Sequence, residues 1–252
     1  VYYIETIEPY PEMIHVDTRY SWGNSLSAPI PEWAVPDPSF DAQLCIVDRV
    51  TGEEWDFNEI RGKYPSFTSG SGTKVPEGVN GEGVLQPDMV GSRESGFPLM
   101  AGLIRPEELK AGVIEHALVF GNDGRNGWEN FVSPASTGCD YEFGPDGDHV
   151  LPMGARLQLR PDFDISILTP SARVVANALI KYGMYLGEEN DGKSMGLYMQ
   201  TAGDENHDGV VEYWDELWYG LWDDDDKESL GAIKASDFRV IELPPIAGER
   251  QE

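Results

Sequence analysis

The stretch Ala42-Gln43-Leu44-Cys45-Ile46-Val47-Asp48, continuing through Arg49-Val50-Thr51-Gly52 into Glu53-Glu54-Trp55-Asp56-Phe57, decides the fold class. Its first half is an apolar, β-branched run; its second alternates acidic with aromatic residues. A short Gly-containing segment lies between them, so the two halves read as strands of a hairpin. Cys45 sits inside the first run, where a thiol behaves as a small hydrophobe.

The same reading extends outward in both directions. Residues 1–7, 113–120, 153–159, 184–186, 195–199 and 238–243 carry strand-like runs. Pro29, Pro31, Pro36 and Pro38 around Trp33 keep residues 28–38 extended and non-helical. Residues 69–96 are Gly- and Ser-rich and read as a long loop framing a functional site. Helical signals are fewer. Arg105-Pro106-Glu107-Glu108-Leu109 has Pro and acids in a first turn. Thr169 and Pro170 open a helix whose apolar stripe is Val174, Val175, Ala178, Leu179 and Tyr182, ended by Gly183. Asp223 to Asp226 suit the start of a third. The expected fold is mainly β: a single-domain β-sandwich of jelly-roll type over residues 1–252, with two or three peripheral helices and a flexible tail at 244–252.

Composition agrees. The 252 residues include 28 Gly and 18 Pro, too many for a helical bundle, and 7 Trp, 11 Tyr and 9 Phe, ample for a core and for stacking platforms. A net charge of −27 repels phosphate backbones and anionic lipid, so neither nucleic acid nor a membrane is an expected partner. Only 7 of the 18 basic residues are Lys, a balance that also suits solubility in high salt. No run approaches a membrane span, and Val1 opens directly in strand-like sequence, as in a mature or trimmed secreted chain. Cys139 is the second cysteine, and both a Cys45–Cys139 disulfide and two free thiols remain open.

The most specific motif is Asp204-Glu205-Asn206-His207-Asp208-Gly209-Val210-Val211-Glu212-Tyr213-Trp214-Asp215. Oxygen donors at alternate positions, with Gly209 at the sharp turn, follow the calcium loop of an EF-hand. Asp204, Asn206, Asp208, the Val210 carbonyl, Glu212 and Asp215 are the expected ligands of a structural Ca2+. Leu197 to Thr201 before the loop is strand-like, so the loop is read as an isolated site in a β protein. Trp214, Trp218 and Trp222 form a stripe that reads as core packing.

Phosphate-binding, dinucleotide, zinc and nucleophile-elbow motifs are absent. Carboxylates near aromatics remain. Glu94, held ionised by Arg93 beside a Gly-rich loop, together with Glu115 and Asp56, are candidates for the two carboxyl groups of a glycosidase. His116 is the candidate base of a polysaccharide lyase. Glu115 and His116, adjacent on a strand, are expected on opposite faces. Arg93, Trp55, Trp128 and Tyr182 are the candidate saccharide contacts, with Trp22 and Trp33 as further stacking surfaces.

A series of segments carries a resemblance. Ser95-Gly96-Phe97-Pro98-Leu99-Met100-Ala101-Gly102-Leu103-Ile104-Arg105-Pro106-Glu107-Glu108-Leu109 is followed by Ile114-Glu115-His116-Ala117-Leu118, Met153-Gly154-Ala155-Arg156-Leu157 and Lys181-Tyr182-Gly183-Met184. In that order, and with the hairpin, it resembles a group of largely uncharacterised secreted bacterial β-rich proteins over residues 40–240. The resemblance implies secretion and a β-rich fold, names no reaction, and adds weight to Asp48, Asp56 and His116 as matched polar positions. Gln43 stands where the group often has His, and Glu94 where a small residue is common. The expected function is a secreted, monomeric, carbohydrate-active enzyme, a glycoside hydrolase acting on a polysaccharide. The alternative is a non-catalytic, calcium-stabilised carbohydrate-binding or cell-surface module.

Overall fold

A computed structural model describes residues 1–5, 12–21, 23–37, 41–75, 91–122, 131–138, 151–190, 195–200 and 218–243. The chain is mainly β. It divides into two compact units, one built on Val1–Ala101 and the other on Gly102–Gln200 with the described part of Asp215–Glu252.

In the first unit, one sheet has the order β1-β4-β5-β8. Strand β1 (Tyr2–Ile4) runs parallel to β4 (Leu44–Asp48), which pairs antiparallel with β5 (Glu54–Asn58), the hairpin read from the sequence. Strand β8 (Ser71–Val75) closes the sheet against β5. A second sheet has the order β3-β2-β7-β6, from β2 (Ile14–Thr18), β3 (Leu26–Ala28), β6 (Arg61–Lys63) and β7 (Ser66–Ser69). Here β2 and β7 are parallel; with β1–β4 that makes two parallel pairs, which the antiparallel pairing of a jelly roll does not contain.

Both sheets feed one apolar core: Tyr2, Leu44, Ile46, Trp55 and Phe57 from the first, Ile14, Val16, Ala28 and Phe67 from the second. The packing is close at Gly72, where a Cβ would lie 2.8 Å from the Phe57 ring and 3.0 Å from the Leu26 Cβ. The segment read as a loop from residue 69 therefore begins as strand. Its Gly and Ser residues serve close packing, because β8 needs small side chains at this point; residues 76–90 lie outside the described residues.

In the second unit, β9 (Leu118–Asn122), β10 (Arg156–Leu159), β11 (Met184–Glu189), β12 (Gly196–Leu197) and β13 (Phe238–Val240) form a sheet of order β12-β9-β11-β10-β13. Its described helices are α1 (Pro106–Ala111), α2 (Pro170–Lys181) and α3 (Asp224–Leu230). Helix α2 starts at Pro170 and buries Val175, Ala178 and Leu179, as its stripe predicts. Gly183 follows with φ 77°, and a Cβ there would meet the Leu157 carbonyl at 2.3 Å, so only glycine fits the turn into β11. The Thr169 backbone N–H donates to Ser229 Oγ at 2.9 Å, tying α2 to α3. Trp218 and Trp222 are buried, as the core reading of that stripe expects, and Trp214 lies outside the described residues.

The segment before β9 also differs from its sequence reading. Strand β9 begins at Leu118, and residues 113–117 precede it without strand pairing. Glu115 and His116 therefore do not sit on opposite faces of a sheet. The apolar residues at 113 and 114 suggested strand, but the His116 ring bonds to the backbone beside it and to helix α1 instead.

Candidate functional site

Alternation along β5 sends Trp55 and Phe57 into the core and Glu54 and Asp56 to the opposite face of the sheet. That face is covered as well, by the segment 92–100. The Leu99 N–H donates to Asp56 Oδ2 at 2.8 Å, and the Met100 N–H donates to Glu54 Oε1 at 2.9 Å. From β4, directly opposite Asp56, the Cys45 thiol donates to Glu54 Oε1 at 3.5 Å. Arg93, itself buried, donates from Nη2 to the Leu99 carbonyl at 3.0 Å.

Glu54 Oε2 and Asp56 Oδ1 are buried and have no partner of this kind among the described residues. A single proton held between the two carboxyl groups satisfies both oxygens and, with Arg93, leaves the cluster neutral. Burial pushes both carboxyl groups above the ordinary carboxylate range, and the charge of Asp56 pushes Glu54 further. Burial and the charges of Glu54 and Asp56 likewise raise the Cys45 thiol, which is free and inert. Glu54 and Asp56 are 0% and 1% exposed, so no saccharide reaches either. Their chemistry is that of a lock between β5 and the covering segment. Ligand atoms of Cys45, Glu54 and Asp56 all lie within 4.8 Å of one another, the one cluster among the described residues with metal-ligand composition.

In the second unit, His116 joins Glu108 and Arg105. His116 Nε2 lies 2.7 Å from Glu108 Oε1, and Nδ1 lies 2.9 Å from the Ala117 carbonyl. Both ring nitrogens face oxygens that can only accept, so the imidazolium, which carries two N–H groups, is the form that fits. Burial opposes the charge, but the hydrogen bonds to Glu108 and Ala117 outweigh it and raise His116. Burial also opposes the Glu108 charge; the bonds from His116 and from Arg105 Nη2, at 2.5 Å, override it and hold that carboxyl at about 2. The Arg105 backbone N–H donates to Glu108 Oε2 at 2.9 Å, closing the start of α1. With both nitrogens donating, this imidazole offers no lone pair to a substrate proton.

The remaining candidates are dispersed. Asp48 is buried and accepts from the Val50 N–H at 2.8 Å and the Thr51 hydroxyl at 2.9 Å, a turn that joins β4 to β5. Glu94 is half-buried in the covering segment, and Glu115 is exposed in the second unit. Trp55, 3% exposed, belongs to the core because strand alternation points it there; the Lys74 ammonium sits 5.2 Å from its ring centre. Tyr182 follows α2, where its carbonyl accepts from Arg156 and Lys181 lies 4.8 Å from its ring centre. Trp22, Trp128, Cys139 and the calcium-loop residues Asp204, Asn206, Asp208, Val210, Glu212 and Asp215 lie outside the described residues.

A cleft of about 390 Å3 opens elsewhere in the first unit, lined in part by Tyr3 and Glu5 from β1 and just beyond it, Glu12 before β2, Glu32 and Trp33 after β3, and Tyr64 between β6 and β7. The buried Tyr2 hydroxyl pins the segment that carries Trp33, donating to the Val35 carbonyl at 3.0 Å and accepting from the Val35 N–H at 2.9 Å. Trp33 is 40% exposed. The Tyr64 hydroxyl donates to Glu12 Oε2 at 3.1 Å, and this bond, with the charges of Glu12 and Glu32, raises the phenol above its ordinary value. Of these residues, the sequence reading singled out only Trp33. Glu54 was missed too, although its two-residue spacing from Asp56 marks it as a same-face neighbour.

No protein-family model matches the chain, and no curated protein or solved structure matches it. Among the described residues no helix is long and apolar enough to cross a membrane.

Proposed function

We propose that the protein recognises a polysaccharide or oligosaccharide, and that its binding surface is the cleft around Trp33. The supporting observation is an open cleft that combines Tyr3, Trp33 and Tyr64 with Glu5, Glu12 and Glu32. Aromatic rings offer flat apolar faces for the C–H face of a pyranose, and carboxylates accept its hydroxyl protons. The cleft's size falls in the range of small-ligand sites, about 300–1,000 Å3. In this reading the first unit is a two-layer β-sandwich, the protein works outside the cell, and the loop from Asp204 to Asp215 holds a bracing Ca2+.

Binding is favoured over cleavage because Asp48 and Asp56, two of the carboxylates expected to act, are consumed by buried hydrogen bonds. Glycoside hydrolysis is the second reading, and three carboxylates in one aromatic cleft favour it. It needs two of them about 5 Å or about 6.5–9.5 Å apart across a bound sugar. The test is calorimetric titration with soluble oligosaccharides, comparing wild type with Trp33→Ala, alongside an assay for new reducing ends. Binding that Trp33→Ala weakens at least tenfold supports recognition, and reducing ends lost in Glu5→Gln, Glu12→Gln or Glu32→Gln support hydrolysis. Binding indifferent to Trp33→Ala rejects the cleft.

A further inference from the structure

We propose that the ligand of the Trp33 cleft is a saccharide with free amino groups, an oligomer of glucosamine type. The inference rests on the carbohydrate reading of that cleft and narrows it to one substrate class.

The polar side chains decide the point. Glu5, Glu12 and Glu32 line the cleft, and no Lys, Arg or His is among its described lining residues. Carboxylates are acceptors only. A neutral sugar carries hydroxyls that both donate and accept, so a site for it gains from a mixture of donors and acceptors. A protonated amine carries three donors and no acceptor, the complement of this lining. Glu12 already takes the Tyr64 hydroxyl proton on one oxygen, which leaves that phenol as an acceptor in turn.

The rings favour the same charge. Aromatic faces carry the negative end of a quadrupole and attract cations. The Arg49 guanidinium, outside the lining, lies 4.2 Å from the centre of the Tyr3 ring, so one face of that ring already holds a cation. At longer range a net charge of −27 draws a polycation toward the surface and repels sulfated or uronic chains.

Titration calorimetry on the full chain, at low salt and mildly acidic pH, compares a glucosamine hexamer with its fully N-acetylated form and with cellohexaose. An oligolysine of equal charge is the fourth ligand. The expected result is binding of the free-amine hexamer about tenfold tighter than either neutral hexamer, the size of two exposed ion pairs acting together. Added salt and the Glu12→Gln/Glu32→Gln variant should remove that advantage; both residues are exposed, so the variant keeps the fold. Equal binding of cellohexaose that Trp33→Ala abolishes overturns the amine preference and leaves the carbohydrate cleft standing. Equal binding of oligolysine overturns the preference too, since charge alone then suffices. No binding of any hexamer, or binding untouched by Trp33→Ala, overturns both.

Discussion

Glu54→Gln should remove a pH dependence of stability that the wild-type protein carries. In the folded protein Glu54 and Asp56 hold one proton between them, because among the described residues Oε2 and Oδ1 have no other donor and both side chains are buried. In the unfolded chain both carboxyls ionise in the ordinary range. Between the ordinary carboxylate range and the raised folded value, the folded state therefore binds one more proton than the unfolded state. Stability is full below that range and falls as pH rises, by about 1.4 kcal/mol per pH unit for a one-proton difference. That slope is a sizeable fraction of the ~5–15 kcal/mol that holds a domain together.

Gln at position 54 keeps the shape and the acceptor for the Met100 N–H, and its amide N–H2 can donate to Asp56 Oδ1 at any pH. Chemical denaturation at several pH values between about 5 and 9 reads the difference. Wild type should lose stability steadily with rising pH, while Glu54→Gln should be nearly flat and should overtake it at alkaline pH. Glu54→Ala is the contrasting variant. It leaves the Met100 N–H without its acceptor and Asp56 as an uncompensated buried acid, for a cost of about 3 kcal/mol or more. Parallel pH profiles for wild type and Glu54→Gln would refute the shared proton.

Glu108→Gln should lower the His116 pKa toward its ordinary value, read by NMR titration of the imidazole. The His116 contribution to stability is present below the ordinary histidine value and is lost as pH rises through the raised one; that of Glu108 is lost as pH falls toward about 2. The partly exposed site limits the combined effect to about 1 kcal/mol, and an unmoved His116 titration would remove the imidazolium pair. Cys45, in a Cys139→Ser background, should react with a thiol reagent only as fast as the protein unfolds, because burial keeps its thiol protonated. Rapid labelling of folded protein would show that the covering segment opens on its own. Adding a chelator should lower the melting temperature by several degrees if Asp204, Asn206, Asp208 and Asp215 hold Ca2+; an unchanged transition would reject that loop as a metal site.

How far each feature is legible in the sequence follows from how local its cause is. The β4–β5 hairpin and helix α2 rest on period, turn and capping residues within a short span, and both lie where those signals put them. The Trp33 cleft gathers Tyr3, Glu12, Trp33 and Tyr64 from four separate segments. Parallel pairing brings β1 beside β4 and β2 beside β7, and pairing across so many residues leaves no mark on neighbouring positions. His116 was misplaced for a related reason: apolar neighbours resemble strand, while the partner that fixes its ring, Glu108, is on helix α1.

Asp56 is the instructive case, because its burial could have been read in advance. The run Leu44-Cys45-Ile46-Val47 does not alternate, and all five residues of β4 are buried. A strand that is apolar on both sides belongs to a sheet covered on both faces. Its hairpin partner is then covered on both faces as well, so the acids of β5 must be buried whichever way they point. An acid in that position needs hydrogen-bond donors and charge compensation before it can offer catalysis. The Leu99 and Met100 N–H groups, Arg93 and a same-face carboxyl that can share a proton meet that need. Read with its partner strand, the alternation Glu54-Trp55-Asp56-Phe57 therefore describes a sealed layer, and open water-facing chemistry has to be sought where the chain leaves its sheets, at Trp33 and Tyr64.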